Sequence, residues 1–310
     1  VYILFAQHGW ADDNRAMMSL AKDLATHDTQ DALQPNAVKI VAPCLNYAMT
    51  WLRMDPLIEA VEKHAIAALD EFPDSPCRII GHSMGGLIWL ELLERHHDWW
   101  PRIEFFTLVA SPVGGADLGR IIDPLQVGVG IATDLGKDRR PLATNIAIAI
   151  DTLVLAGDLD DGSDGTVTLE STKVPNAQFV RLTGLSHTAM RYHPTVIDRI
   201  QRFWRGESLS EPISLHPVIE KIRAIPGMTD AHLRGFEKAL PLVTLQDGIR
   251  VKVWRNPLGI DHVFVASPHD RCLYCGYVGW IHTEDLWQTL HELQAEGAVT
   301  DLHELFDPLD

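Results

Sequence analysis

Residues 77–86 read Cys-Arg-Ile-Ile-Gly-His-Ser-Met-Gly-Gly, and they say more about the fold than any other stretch of the chain. An apolar run ends in Gly81-His82-Ser83-Met84-Gly85, and a helical pattern of Leu87, Ile88, Leu90, Leu92 and Leu93 begins at once. A G-x-S-x-G set between a strand and a helix makes a turn so tight that only small residues fit at its two glycines. The serine hydroxyl is pushed out above the sheet edge. A serine hydroxyl is a weak nucleophile unless a base takes its proton. The motif therefore asks whether a base and an acid follow in usable places.

Both do. Residues 152–157 (Thr-Leu-Val-Leu-Ala-Gly) read as a short buried strand, followed by a loop holding Asp158, Asp160, Asp161 and Asp164. Residues 177–182 (Ala-Gln-Phe-Val-Arg-Leu) read as another, followed by Thr-Gly-Leu-Ser-His187. Of 15 histidines, His187 is the best base, because it follows the last core strand and precedes the closing helix. His193 is a nearby competitor, and His82 reads as structural. The acid's work is to hold the imidazole in one tautomer and to stabilise the imidazolium, and four aspartates crowd the loop that could supply it. The same loop invites a calcium reading, but it fails the EF-hand pattern, with Gly162 at position five and Leu169 at position twelve.

Taken together, His8-Gly9-Trp10 after the first strand, GHSMGG at 81–86, SDGTV at 163–167 and GLSH at 184–187 resemble the α/β-hydrolase superfamily, in its lipase and esterase type. The resemblance covers residues 1 to about 206. It implies an α/β-hydrolase fold: a mostly parallel sheet of about six strands with helices on both faces. No strand precedes Tyr2–Ala6, so the first two strands of the fullest form are expected to be missing. It also implies Ser83 as nucleophile, His187 as base and Asp164 as acid, since Asp-Gly-x-Val fits the family position. The oxyanion-hole donors implied are the backbone N–H groups of Met84 and Trp10, with His8 structural. The activity implied is hydrolysis of a carboxylic ester, on a small-molecule or lipid-like substrate, with no cofactor and no metal. Thioesterases and acyltransferases use the same residues. The rival from another class is a non-catalytic ligand receptor or signalling protein on the same scaffold, because fold alone does not settle function.

The 310 residues suffice for one large domain and a small one. An apolar content of 46% places the chain among globular proteins, and no apolar run reaches the roughly 20 residues of a membrane span. The net charge of −16 argues against nucleic acid or an anionic membrane surface as the main partner. No signal peptide is legible, and the cysteines are sparse (Cys44, Cys77, Cys272, Cys275), so a reduced, cytoplasmic setting is the expectation.

Strands at 2–6, 37–42, 77–81, 104–110, 152–157 and 177–182 alternate with helices at 13–27, 55–71, 84–96 and 194–205. That alternation predicts a parallel sheet covered on both faces. Residues 111–150 are too long for a plain connection. Their apolar positions fit either ordinary packing or a cap that forms an acyl pocket. Residues 207–212 read as a linker. Beyond it, 213–310 reads as a small α+β appendage of unknown role, where a protein partner could dock. Helices are expected there near 216–225, 229–239 and 283–296, with β-rich sequence at 249–254, 262–266 and 273–280. Cys272 and Cys275, with His269 and His282 nearby, could ligate zinc. A lone C-x-x-C is weak evidence, and Tyr274, Tyr277 and Trp280 suggest a packed strand instead.

Overall fold

The computed structural model describes residues 1–31, 38–45, 53–115, 131–159, 162–209, 216–231 and 233–297. It separates into two compact units, Val1–Ile213 and Ser214–Asp310.

The first unit is built on six strands: β1 (Tyr2–Gln7), β2 (Val38–Val41), β3 (Cys77–His82), β4 (Ile103–Val109), β5 (Thr152–Asp158) and β6 (Gln178–Thr183). They lie in the order β2-β1-β3-β4-β5-β6, and every pairing is parallel. Such a sheet is covered on both sides, which is why its strands read as continuous apolar runs and not as alternation. β1 shows this directly. Ile3 and Phe5 point into one core with α2 (Asp55–Glu71) and α3 (Met84–Arg95), while Tyr2, Leu4 and Ala6 point into the other with α1 (Arg15–Asp31).

The segment expected as a cap lies partly outside the described residues, which omit 116–130. Its described part forms two helices, α4 (Ile131–Leu135) and α5 (Arg140–Ala149). Arg139 anchors them. Its buried guanidinium donates from Nε to Glu91 of α3 at 2.7 Å and from Nη1 to the Asp134 carbonyl at 2.7 Å. Met54 N–H donates to the Asp134 carboxylate at 3.0 Å, fastening α4 to the start of α2. This part of the segment is therefore ordinary packing over the sheet. After β6, a four-residue helix α6 (Leu169–Thr172) having come earlier in the β5–β6 connection, α7 (Pro194–Trp204) closes the unit. α7 lays Val196, Ile200, Phe203 and Trp204 into the second core. The expected linker does not begin cleanly at 207, because Leu209 N–H donates to Gln178 Oε1 of β6 at 2.7 Å.

The second unit holds a five-stranded antiparallel sheet ordered β7-β11-β10-β9-β8, made of β7 (Thr229–Asp230), β8 (Leu240–Thr244), β9 (Arg250–Arg255), β10 (Asp261–Ala266) and β11 (Cys272–Tyr277). Helices α8 (Pro217–Arg223) and α9 (Thr283–Gly297) supply Val218, Ile222, Leu286 and Leu290 to a core with Val251, Val253, Val263 and Val265. One expectation fails here. The stretch 229–239, read as a helix, is instead the short strand β7 and a single 3-10 turn at Phe236–Lys238. Gly235 breaks the helical spacing: its φ is +93°, and a Cβ there would sit 2.3 Å from the Trp254 ring. β8, outside the stretches expected to be β-rich, contains Pro241. It lies at the sheet edge, where a missing N–H costs no ladder bond. Among the described residues, no helix is long and apolar enough to cross a membrane.

The tightest point of the first unit is the turn between β3 and α3. A Cβ on Gly81 would lie 2.4 Å from Gly86 Cα, and one on Gly85 would lie 2.4 Å from the Gln7 carbonyl oxygen of β1. Neither neighbour can yield, because both are backbone. Gly85→Ala should therefore lower unfolding stability by about 3 kcal/mol, whereas Gly279→Ala, with nothing within 4 Å, should stay within about 0.5 kcal/mol of the parent. Urea denaturation of the two variants checks the contrast.

Candidate functional site

Ser83 stands at the end of β3 and immediately before α3, with φ 55° and ψ −127°. A positive φ is rare for a residue with a side chain and marks strain that the surroundings must hold in place. Two bonds hold it: Ser83 N–H donates to the Val109 carbonyl of β4 at 2.8 Å, and Gly86 N–H donates to the Ser83 carbonyl at 3.1 Å. The backbone N–H of Met84, one expected oxyanion donor, opens the helix beside it.

Asp164 is the aspartate that meets His187. His187 Nδ1 lies 2.7 Å from Asp164 Oδ2, and His187 N–H donates to the Asp164 carbonyl at 2.9 Å. The other carboxylate oxygen, Oδ1, accepts from Thr166 N–H at 2.9 Å and Val167 N–H at 2.7 Å. Asp164 is only 2% exposed, so its charge is carried by these donors and not by water. Asp158, at the end of β5, is engaged elsewhere: it is fully buried, ion-paired with Arg181 of β6, and accepts from Gly162 N–H at 2.9 Å. Asp160 and Asp161 lie outside the described residues. The competing base is also occupied. His193 caps α7, its Nδ1 accepting from Thr195 N–H at 3.3 Å.

The loop after β1 completes the arrangement. Gly9 presses against the serine so closely that a Cβ on it would lie 2.8 Å from Ser83 Cβ and 3.3 Å from Ser83 Oγ. His8 orients the next peptide. Leu45 N–H donates to His8 Nε2 at 2.9 Å, so Nδ1 carries the proton and donates to the Gly9 carbonyl at 2.9 Å. In a trans peptide the following N–H points opposite to that carbonyl. The N–H of Trp10 is thereby turned away from His8. The Trp10 indole packs against the first core, as a structural aromatic would.

One residue matters more than its sequence position suggested. His82 Nε2 lies 3.1 Å from the His187 carbonyl, and the two rings stack at a tilt with centroids 4.7 Å apart. It donates there, which ties the loop carrying His187 to the end of β3. Burial holds its pKa well below the ordinary histidine value, helped by the nearby His187 ring. His8 is lowered for the same first reason, burial. Both rings work as neutral groups. A histidine flanking the turn serine was legible, but only folding brings it beneath a residue more than a hundred positions away.

Gly9, Trp10, Ser83, His82, His187 and Thr188 line one cavity of about 330 Å³, with Asp12, Thr166 and Arg191 at its walls. Arg191 and Asp12 form an ion pair across it, joining the loop after β1 to the turn after His187. Among the described residues no group of three or more His, Cys, Asp or Glu stands close enough to hold a metal. Cys272 and Cys275 lie on β11 within the sheet's second apolar layer. Burial pushes the Cys77 thiol up to about 11.

Neither protein-family models nor curated protein sequences give a match to this chain. Solved structures do. The phospholipase PlaB from Legionella pneumophila in complex with thio-NAD is similar at TM-score 0.52 and 16% identity, over 66% of this chain and 57% of that one. The Bacillus licheniformis lipase BlEst2 in its propeptide form is similar at TM-score 0.50 and 13% identity, over 84% of this chain and 58% of that one. The chain thus spans little more than half the length of each. The chain has the α/β-hydrolase fold. Among the described residues its sheet holds six parallel strands.

The neutral histidines make the site acid-sensitive. In the unfolded chain a histidine titrates near 6.5, above the native His82, so as pH falls through that value the unfolded state takes up the proton first and the native state loses stability. The urea midpoint should drop between about pH 7 and pH 5. His82→Gln, which keeps a donor for the His187 carbonyl but has no titrating ring, should show a visibly shallower drop.

Proposed function

We propose that this protein is a serine hydrolase that cleaves a carboxylic ester, in the manner of lipases and esterases. The observation that carries the reading is one cavity shared by the strained Ser83 and by His187, whose ring is bonded to the buried Asp164. Ser83 Oγ would attack the acyl carbon while its proton passes to His187 Nε2. The carbonyl's electron pair becomes an oxyanion, met by the N–H groups of Trp10 and Met84. Each such donor is worth about 2.7–4 kcal/mol in related chemistry. Collapse expels the alcohol, which takes the proton back from His187 and leaves an acyl-enzyme. Water then repeats the sequence, the acid departs and Ser83 is restored. Asp164 holds Nδ1 protonated throughout and stabilises the imidazolium.

The substrate is a small molecule or lipid-like ester. The described walls around Ser83 carry Asp12, Thr166, Thr188 and Arg191, which favours a short or polar group beside the reacting carbon. Residues 116–130 of the expected cap lie outside the described residues. A thioester would meet the same machinery, so nitrophenyl esters of increasing acyl length should be run beside the matching thioesters.

A fluorophosphonate probe should label Ser83 and lose its target in Ser83→Ala; labelling that survives the substitution moves the nucleophile elsewhere. Asp164→Asn should lower kcat by about 10⁴ with the fold intact, because an amide donor facing Nδ1 stabilises the wrong tautomer. Asp158→Asn, which touches Arg181 and not His187, should leave kcat within about tenfold while lowering the melting temperature.

A further inference from the structure

The second unit contains a groove of about 1000 Å³, lined only by its own residues, between the β9–β10 turn and the outer face of α9. Two tryptophans form its walls. Trp280 is 65% exposed, an unusual position for the largest aromatic side chain. Neither indole is loose. Trp280 Nε1 donates to the Leu258 carbonyl at 3.3 Å, and Trp287 Nε1 donates to Asp261 Oδ2 at 2.9 Å. Both rings are thus held by their edges before any ligand arrives, with aromatic surface open to the groove.

The charges lining the groove are lopsided. Arg255 is the one permanent cation among the described lining residues. It is bound to both oxygens of Asp261, at 2.8 and 3.0 Å, and Asp261 is 1% exposed. Its charge is matched by that buried carboxylate. Glu284 and Glu292 also line the groove. Glu292 is approached by Gln288 at 3.3 Å and by Lys221 at 3.9 Å. Glu284 sits in the first turn of α9, where the helix dipole suits its charge, and has no hydrogen-bond or ion-pair partner among the described residues.

Aromatic faces beside carboxylates, with the cation already neutralised, are complementary to an organic cation. A positive group over an indole face is attracted by the ring quadrupole, and quaternary ammonium ligands are bound in this way. An anion would meet two carboxylates, and a neutral sugar could stack on the rings but would leave Glu284 unmatched. We propose that the groove beside α9 binds an alkylammonium group, with Trp280 and Trp287 as its walls and Glu284 as its counter-charge. The site is independent of the chemistry at Ser83. The group could arrive as a free small cation or as the choline headgroup of a lipid.

Calorimetric titration of the full chain with tetramethylammonium chloride, against sodium chloride at equal ionic strength, tests this. Saturable binding specific to the alkylammonium is expected. Trp280→Ala and Glu284→Gln should each weaken it at least fivefold, Trp280→Phe should retain it, and Ser83→Ala should bind as the parent does. Both key positions are solvent-exposed, and unchanged melting temperatures would verify that these variants fold. Co-sedimentation with phosphatidylcholine vesicles, lost in Trp280→Ala, would assign the headgroup as the source; titration without sedimentation would assign a free small cation. No saturable binding, equal binding of sodium, or binding indifferent to both Trp280→Ala and Glu284→Gln would overturn the proposal. Uptake of glucose in place of the ammonium would overturn the charge assignment.

Discussion

Backbone must touch backbone around Ser83, and the rest of the first unit is arranged so that it can. Gly81 lies against Gly86, Gly85 lies against the Gln7 carbonyl, and Gly9 lies against Ser83 itself, each too close for a methyl group. These contacts draw β1, β3 and the start of α3 together at one end of the sheet. They also explain why Ser83 can remain at a positive φ: the strand and helix on either side leave it no other path, and the strain is offset by the packing of two apolar cores. The hydroxyl reaches the cavity because the turn is too sharp to hide it.

Around that turn the polar groups divide the work without sharing it. Asp164 orients His187, His82 ties down the loop that carries His187, and His8 orients the Gly9–Trp10 peptide. Each of the three lies almost wholly out of water, where an unmatched charge would be costly. The carboxylate therefore collects two backbone donors, and both supporting histidines stay neutral. Asp12 and Arg191 add a charged pair at the same cavity, which joins two loops far apart in the sequence.

The two units differ in how openly their sequence announces them. The parallel strands were legible because burial on both faces leaves mostly apolar residues, as in Leu-Val-Leu-Ala of β5. The antiparallel sheet of the second unit was read only in part. β9, β10 and β11 carry enough β-branched and aromatic residues to show, whereas β8 holds a proline and β7 is two residues long. Leu233, Phe236 and Leu240 keep a helical spacing, yet the chain makes only a 3-10 turn there. Only the Trp254 ring, brought from β9, reveals why Gly235 must turn the chain there.

By itself the sequence determined the strand-to-helix turn at 81–85, the order of Ser83, Asp164 and His187 along the chain, and the parallel class of the first sheet. Those are local or periodic properties, written in glycine spacing and in runs of apolar residues. What it left open was identity among neighbours of the same kind: Asp158 against Asp164, and His187 against His193. Their surroundings in sequence are alike, and their difference lies in partners far along the chain. Arg181 claims Asp158, the first turn of α7 claims His193, and Asp164 and His187 are left facing each other. Only the tertiary structure decides such matters, because a hydrogen bond depends on which atoms meet at 2.7 Å and not on how many residues separate them.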